Sequence, residues 1–189
     1  MKTKLKEQSG NVQKKYDGPW LWELSKACRE NVANLVESAE LLLDNGYYAQ
    51  SFALSYTALE EMGKDLIVCD YITDITSDSE FEAAFFDHKI KVAYQHSNCA
   101  LENVSTDEHL KNYKATIVYN KEKYKAWFDL RQNSLYVGIN KDTKSAKKPT
   151  DEVSEKEADS MLNHVKRMND DRLVYELMNE RIGSKAFYK

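Results

Sequence analysis

The sequence predicts an all-α fold, and three observations carry that expectation. Only 6 Gly and 2 Pro occur in 189 residues, too few breakers for the many tight turns of a β-sandwich or barrel. Apolar residues recur at three- and four-residue steps over long stretches, the period of a helix face. Two S-x-x-E sequences, Ser79 to Glu82 and Ser154 to Glu157, have the form of capping boxes that open helices. At this length one hydrophobic core is expected, so residues 18–189 read as a single domain, a helical bundle of about five main helices. Residues 1–17, polar and lysine-rich, read as a flexible basic tail.

The first helix begins at the punctuation Asp17-Gly18-Pro19. Trp20, Leu21, Leu24, Cys28, Leu35, Val36, Ala39, Leu42 and Leu43 then follow at helical steps, and Asn45-Gly46 supplies the left-handed residue that ends such a helix. A second helix, about Tyr47 to Tyr71, carries Phe52, Leu59, Met62, Leu66 and Cys69 on one stripe, widened by Ala53, Leu54 and Ala58. A helix apolar on several sides belongs in the middle of a bundle.

The box at Ser79 opens a third helix with Phe81, Phe85, His88, Val92 and Cys99 in line, ending near Asn103. A poorly patterned stretch follows, suited to an irregular turn or small helix. Tyr124, Trp127, Phe128, Arg131 and Leu135 mark a fourth helix ending near Gly138, and residues 139–153 read as a polar loop. The box at Ser154 starts a last helix with Met161, Leu162, Val165, Met168, Leu173 and Leu177.

Composition excludes several function classes. No stretch reaches the roughly 20 consecutive apolar residues of a membrane span, and the basic N-terminus lacks the apolar core of a signal peptide, so a cytoplasmic protein without membrane contact is expected. Cys28, Cys69 and Cys99 stand far apart and read as buried free thiols. A net charge of −4 argues against coating nucleic acid by bulk attraction, although a local basic site is compatible with it. The lysine clusters at Lys2 to Lys6, Lys14 to Lys15, Lys121 to Lys125 and Lys141 to Lys148 read as solvated faces or tails. There is no phosphate loop, nucleophile elbow, H-E-x-x-H or dinucleotide fingerprint. His96, His109 and His164 lack metal-ligand spacing, so neither a metal nor another cofactor is expected.

Two charged sites break the apolar pattern. Glu60 and Lys64 stand four apart on the central helix, the favoured order for a surface pair worth roughly 0.2–0.5 kcal/mol, but among residues that are largely apolar. Arg131 falls four residues after Trp127 and four before Leu135, inside the stripe rather than opposite it. A guanidinium there needs an anion. Either Glu60 or Glu61 pairs with it inside the fold, or it faces a cleft where a phosphate docks through paired N–H donors.

The blocks Y-T-A-L-E-E-M-G-K (56–64), D-H-K-I-K (87–91) and L-R-Q-N-S-L-Y-V-G (130–138), in this order, resemble the abortive infection protein V (AbiV) family of the HEPN superfamily. The resemblance spans roughly residues 20 to 180. It implies a HEPN-like helical bundle that dimerises and cuts RNA without metal, using an R-x4-6-H motif beside a shared cleft. Here that motif begins at Arg131, and Tyr136 stands where the histidine belongs.

Metal-free RNA cleavage deprotonates the ribose 2′-OH, stabilises a charged phosphorane and protonates the leaving 5′-oxygen. The resemblance gives Arg131 the second task and Asn133 the orienting of substrate. Tyr136 is a poor base at neutral pH but can donate a hydrogen bond. His88, in the second block, becomes the substitute base, although a lone histidine on that apolar line is more often a hydrogen-bonded core residue. Glu60, Lys64, Lys89 and Lys91 line the substrate side. Expected partners are a second copy of the chain, an RNA substrate and a phage-encoded activating protein. The rival expectation is a non-catalytic module that binds RNA or protein, with Arg131 and Glu60 as a structural pair.

Overall fold

The computed structural model describes residues 14–16, 18–98 and 107–177, and within them the fold is all-α apart from one small hairpin. Helix α1 (Pro19–Asp44) starts on a proline, whose missing N–H needs no partner in a first turn. It stops where Gly46 takes φ 79°, with the Gly46 and Tyr47 amides donating to the carbonyls of Leu43 and Leu42. Helix α2 (Tyr48–Ile72) is buried along most of its length and packs against α1 and the later helices, the central position that its breadth of apolar surface requires. Tyr56, Leu59, Met62, Ile67 and Val68 of α2 have almost no exposed surface.

The third helix differs from expectation in both its start and its length. Helix α3 (Asp78–Phe86) is capped by Ser77, whose side chain accepts from the Glu80 amide while Glu80 reaches back to the Ser77 amide. The sequence contains two overlapping S-x-x-E frames, Ser77 to Glu80 and Ser79 to Glu82, and the earlier one forms the box. The helix then breaks at Asp87, which adopts an extended conformation, and α4 (His88–Asn98) begins afresh. The Asp87 carboxylate caps it, accepting from the amides of Lys89 at 2.9 Å and Ile90 at 3.2 Å. Cys99 and the expected end near Asn103 lie outside the described residues.

Where a small helix or irregular turn was expected stands α5 (Asp107–Lys123), which lays Tyr113, Ile117 and Asn120 against α4 at helical steps. Helix α6 (Lys125–Leu135) follows. The expected polar loop is ordered into β1 (Gly138–Asn140) and β2 (Ser145–Lys147), antiparallel with Ile139 opposite Ala146, and a single turn, α7 (Pro149–Glu152). The last helix, α8 (Glu155–Leu177), begins at the Ser154 box, in which Ser154 and Glu157 bond each other as the sequence suggests. The side chains of Leu173 and Leu177 lie outside the described residues.

Cys28 and Cys69 are buried and form no disulfide among the described residues. Among the described residues no helix is long and apolar enough to cross a membrane.

Candidate functional site

Glu60 organises the site. It lies on the face of α2 turned toward α4 and α6, and its side chain is only 4% exposed. A carboxylate so deeply placed needs compensation, and two neighbours supply it. Its Oε1 stands 2.8 Å from His88 Nδ1, and its Oε2 stands 4.0 Å from Arg131 Nη2. The local pair with Lys64 does not form. Lys64 instead meets Glu61, three residues back, and lies 5.8 Å over the Phe85 ring. Burial decides this: the Glu60 oxygens face other helices, where the helix-surface spacing has no purchase.

His88 is the first residue of α4, placed by the break at Asp87, and its side chain is 49% exposed. With Nδ1 donating to the carboxylate, a neutral His88 ring leaves Nε2 as a free acceptor. Arg131 is 15% exposed and sits on α6; its Nε finds no hydrogen-bond partner. At 4.0 Å the pair with Glu60 lacks the fork-to-fork bonds that guanidinium and carboxylate can make, so donors remain for another anion.

The flanking groups shape the field. Lys89 Nζ stands 4.8 Å over the Phe128 ring, which also faces His88 with centroids 6.4 Å apart. Lys91 is buried, and burial pushes its ammonium pKa down while the Glu60 carboxylate works to raise it. The Tyr56 hydroxyl is pushed well above its ordinary range, by burial first and then by Glu60. Asp87 is partly buried, which would raise it, yet the Lys121 ammonium at 2.8 Å and the α4 amides hold it below the usual carboxylate range.

The structure therefore brings together Glu60, His88 and Arg131, with Lys64, Lys89 and Lys91 around them, and it leaves two predicted members apart. Tyr136 caps the C-terminus of α6 in an extended conformation, 63% exposed. Asn133 donates to Glu152 of α7 at 3.1 Å, away from Glu60. Five residues along a helix rotate a side chain by about 140°, which is why Arg131 and Tyr136 diverge. Sequence reasoning missed Asp87 and Phe128 as parts of the site. Asp87 was visible only as the first letter of D-H-K-I-K, and nothing local marks Phe128. Among the described residues no group of three or more His, Cys, Asp or Glu could hold a metal ion.

A protein-family model for AbiV matches residues 21–170, a span that contains Glu60, His88 and Arg131. The chain belongs to the AbiV family of the HEPN superfamily. It is thus an abortive-infection protein of HEPN type, and its all-α bundle agrees with that membership. Searches of curated proteins and of solved structures found no match. Within that span, His88 and Arg131 come from different helices, and each lies against the Glu60 carboxylate.

Proposed function

We propose that this chain is a phage-defence endoribonuclease, metal-independent, acting as a homodimer and activated on infection. His88 serves as general base, Arg131 stabilises the phosphorane, and Glu60 is the positioning residue between them. The observation that supports this most is the buried Glu60 carboxylate, which holds an exposed imidazole by Nδ1 and a guanidinium on its other oxygen. A carboxylate behind a histidine fixes the tautomer, orients the ring and stabilises the imidazolium once it has taken a proton. The His88 Nε2 then removes the 2′-OH proton as that oxygen bonds to phosphorus, and when the P–O5′ bond breaks the leaving 5′-oxygen takes a proton from water. Arg131, with unspent donors, meets the developing charge on phosphorus. Lys64 and Lys89 keep enough exposure to contact flanking phosphates, whereas Lys91 acts through its field from a buried position.

The dimer expectation draws support from the run Leu135, Tyr136, Val137 and Ile139, exposed apolar side chains on one short segment at the C-terminal end of α6. A second copy covering this run would bury it and bring its own residues to the end of the helix that carries Arg131.

One observation favours a different outcome: Arg131 is mostly buried and turned toward Glu60, as in a structural ion pair. The chain would then be a non-catalytic RNA- or protein-binding module, with the exposed run as the face for a phage or host protein. Incubating total RNA with the wild type, Arg131→Ala and His88→Gln separates the two. Loss of cleavage in both variants, with the fold intact, supports the nuclease. Cleavage equal in all three removes this site, and no cleavage by the wild type under activating conditions leaves the binding module.

A further inference from the structure

A cavity of about 670 Å³ opens between α6 and α8, lined on the α6 side by Ala126, Trp127 and Leu130. This volume lies within the range of small-ligand sites. Phe52 and Met161, both buried, line its apolar part, and the half-buried Trp127 lines it from α6. From α8 come Lys156, His164 and Arg167, with Ser160 between them. These four follow at steps of four, four and three residues, so they form one stripe along the helix, about 16 Å from end to end. Among the described residues neither Lys156 nor Arg167 has an acidic partner. The carboxylate of Glu157, also at the rim, is committed to Ser154.

His164 is held in a defined state. His96 Nδ1 lies 2.8 Å from the Val92 carbonyl, so it must carry the proton that it donates there. His96 Nε2 is then an acceptor, and His164 Nε2, 2.9 Å away, is the donor. The rings are nearly parallel at 7°, and their centroids are 5.1 Å apart, close to the nitrogen separation plus two ring radii. The two nitrogens therefore point head-on and share one proton, the geometry of a hydrogen bond rather than of two lone pairs converging on an ion. Burial keeps His96 neutral, with its pKa lowered to about 4, and lowers that of His164 in the same way, aided by Arg167. The remaining nitrogen of His164, Nδ1, is an acceptor on a residue that lines the cavity.

We infer that this cavity binds a nucleoside phosphate, with the base against Trp127, a ribose or base donor on His164 and a phosphate on Arg167 or Lys156, the cations at the two ends of the stripe. An aromatic wall, a fixed acceptor and two cations with no acidic partner among the described residues, along one stripe, match the three chemical parts of such a unit. The unit can be a free nucleotide or one residue of an RNA chain. This does not depend on the nuclease proposal, because the residues are different and binding needs no cleavage.

Calorimetry with adenosine 5′-monophosphate and with a short uridine oligonucleotide tests it, on the wild type and on the Lys156→Ala/Arg167→Ala double variant. Both substituted residues are exposed, so the variant is expected to keep its circular dichroism spectrum and thermal midpoint. At least one ligand should bind the wild type, and the double variant should weaken it at least tenfold. Equal affinity for the two ligands marks a free-nucleotide site, and a strong preference for the oligonucleotide marks an RNA path. Absence of binding by both ligands at millimolar concentration, or binding indifferent to the double substitution, overturns the proposal.

Discussion

Gly63 of α2 lies directly against the backbone of Lys91 in α4: a Cβ built on Gly63 would stand 2.9 Å from the Lys91 Cα and closer still to its carbonyl carbon and oxygen. Glycine inside a helix normally costs about 0.5–1 kcal/mol relative to alanine, so an open position would gain from Gly63→Ala. Here the obstacle is backbone, which cannot rotate away as a side chain can. Forcing a methyl group into such a contact costs roughly 1–3 kcal/mol or more. Gly63→Ala is expected to lower the thermal midpoint by several degrees, since each kcal/mol moves a domain of this size by roughly 2–4 °C. It should also impair cleavage, because α4 carries His88 and α2 carries Glu60. A midpoint at or above that of the wild type would show that the helices can part without loss.

That contact illustrates what the sequence could and could not disclose. Local signals were legible: the left-handed stop at Gly46, the Ser154 box and the broad apolar surface of α2 each depend on residues a few positions apart. The split between α3 and α4 was not, because Phe81, Phe85, His88 and Val92 keep a helical period straight through the break at Asp87. Helix α5 was underread because only Tyr113, Ile117 and Asn120 of its described side chains are buried, and an asparagine does not register as apolar. Glu60 stood out as a charge in an apolar setting, and Arg131, 71 residues away, was one candidate partner; His88, 28 residues away, was not, and spacing along one helix favoured Lys64. The near-contact of Gly63 with Lys91 leaves no trace beyond the letter G within α2.

Asp70 should make stability depend on pH in an unusual direction. It is fully buried on α2, neither carboxylate oxygen has a hydrogen-bond partner within range among the described residues, and burial raises its pKa to about 8, with the nearby Tyr113 hydroxyl and the Lys114 charge opposing the shift without overcoming it. Its folded-state value thus lies above the unfolded one, near 3.8. Below pH 4 both states hold the proton and the group has no effect. Between about pH 4 and 8 the unfolded chain releases the proton while the folded chain keeps it, so stability falls as pH rises, and above 8 the loss is complete. Asp70→Asn removes this dependence. It is expected to be more stable than the wild type by roughly 2–4 kcal/mol at pH 7, an advantage that shrinks toward zero at pH 4. Urea denaturation of both proteins across this range measures it; a difference that is flat with pH would mean that Asp70 ionises in the folded protein as it does in water.

The looseness of the Arg131 and Glu60 pair decides what Arg131 is for. Removing one partner of a well-made buried ion pair strands the other charge and costs about 3–5 kcal/mol. At 4.0 Å, with Nε unpartnered, Arg131 contributes little of that bonding, and the close partner of Glu60 is His88 at 2.8 Å. Arg131→Ala is therefore expected to cost only about 1–2 kcal/mol, mostly from lost packing of its aliphatic stem. The Glu60→Gln variant should cost a similar amount, and a double-mutant cycle between the two should give a coupling near the 0–1 kcal/mol of exposed pairs. Denaturant melts of the four proteins supply the numbers. A coupling of 3 kcal/mol or more would make the guanidinium a structural strut, and the phosphorane-stabilising role proposed for it would fail while the helical bundle and its membership in the AbiV family stood unchanged.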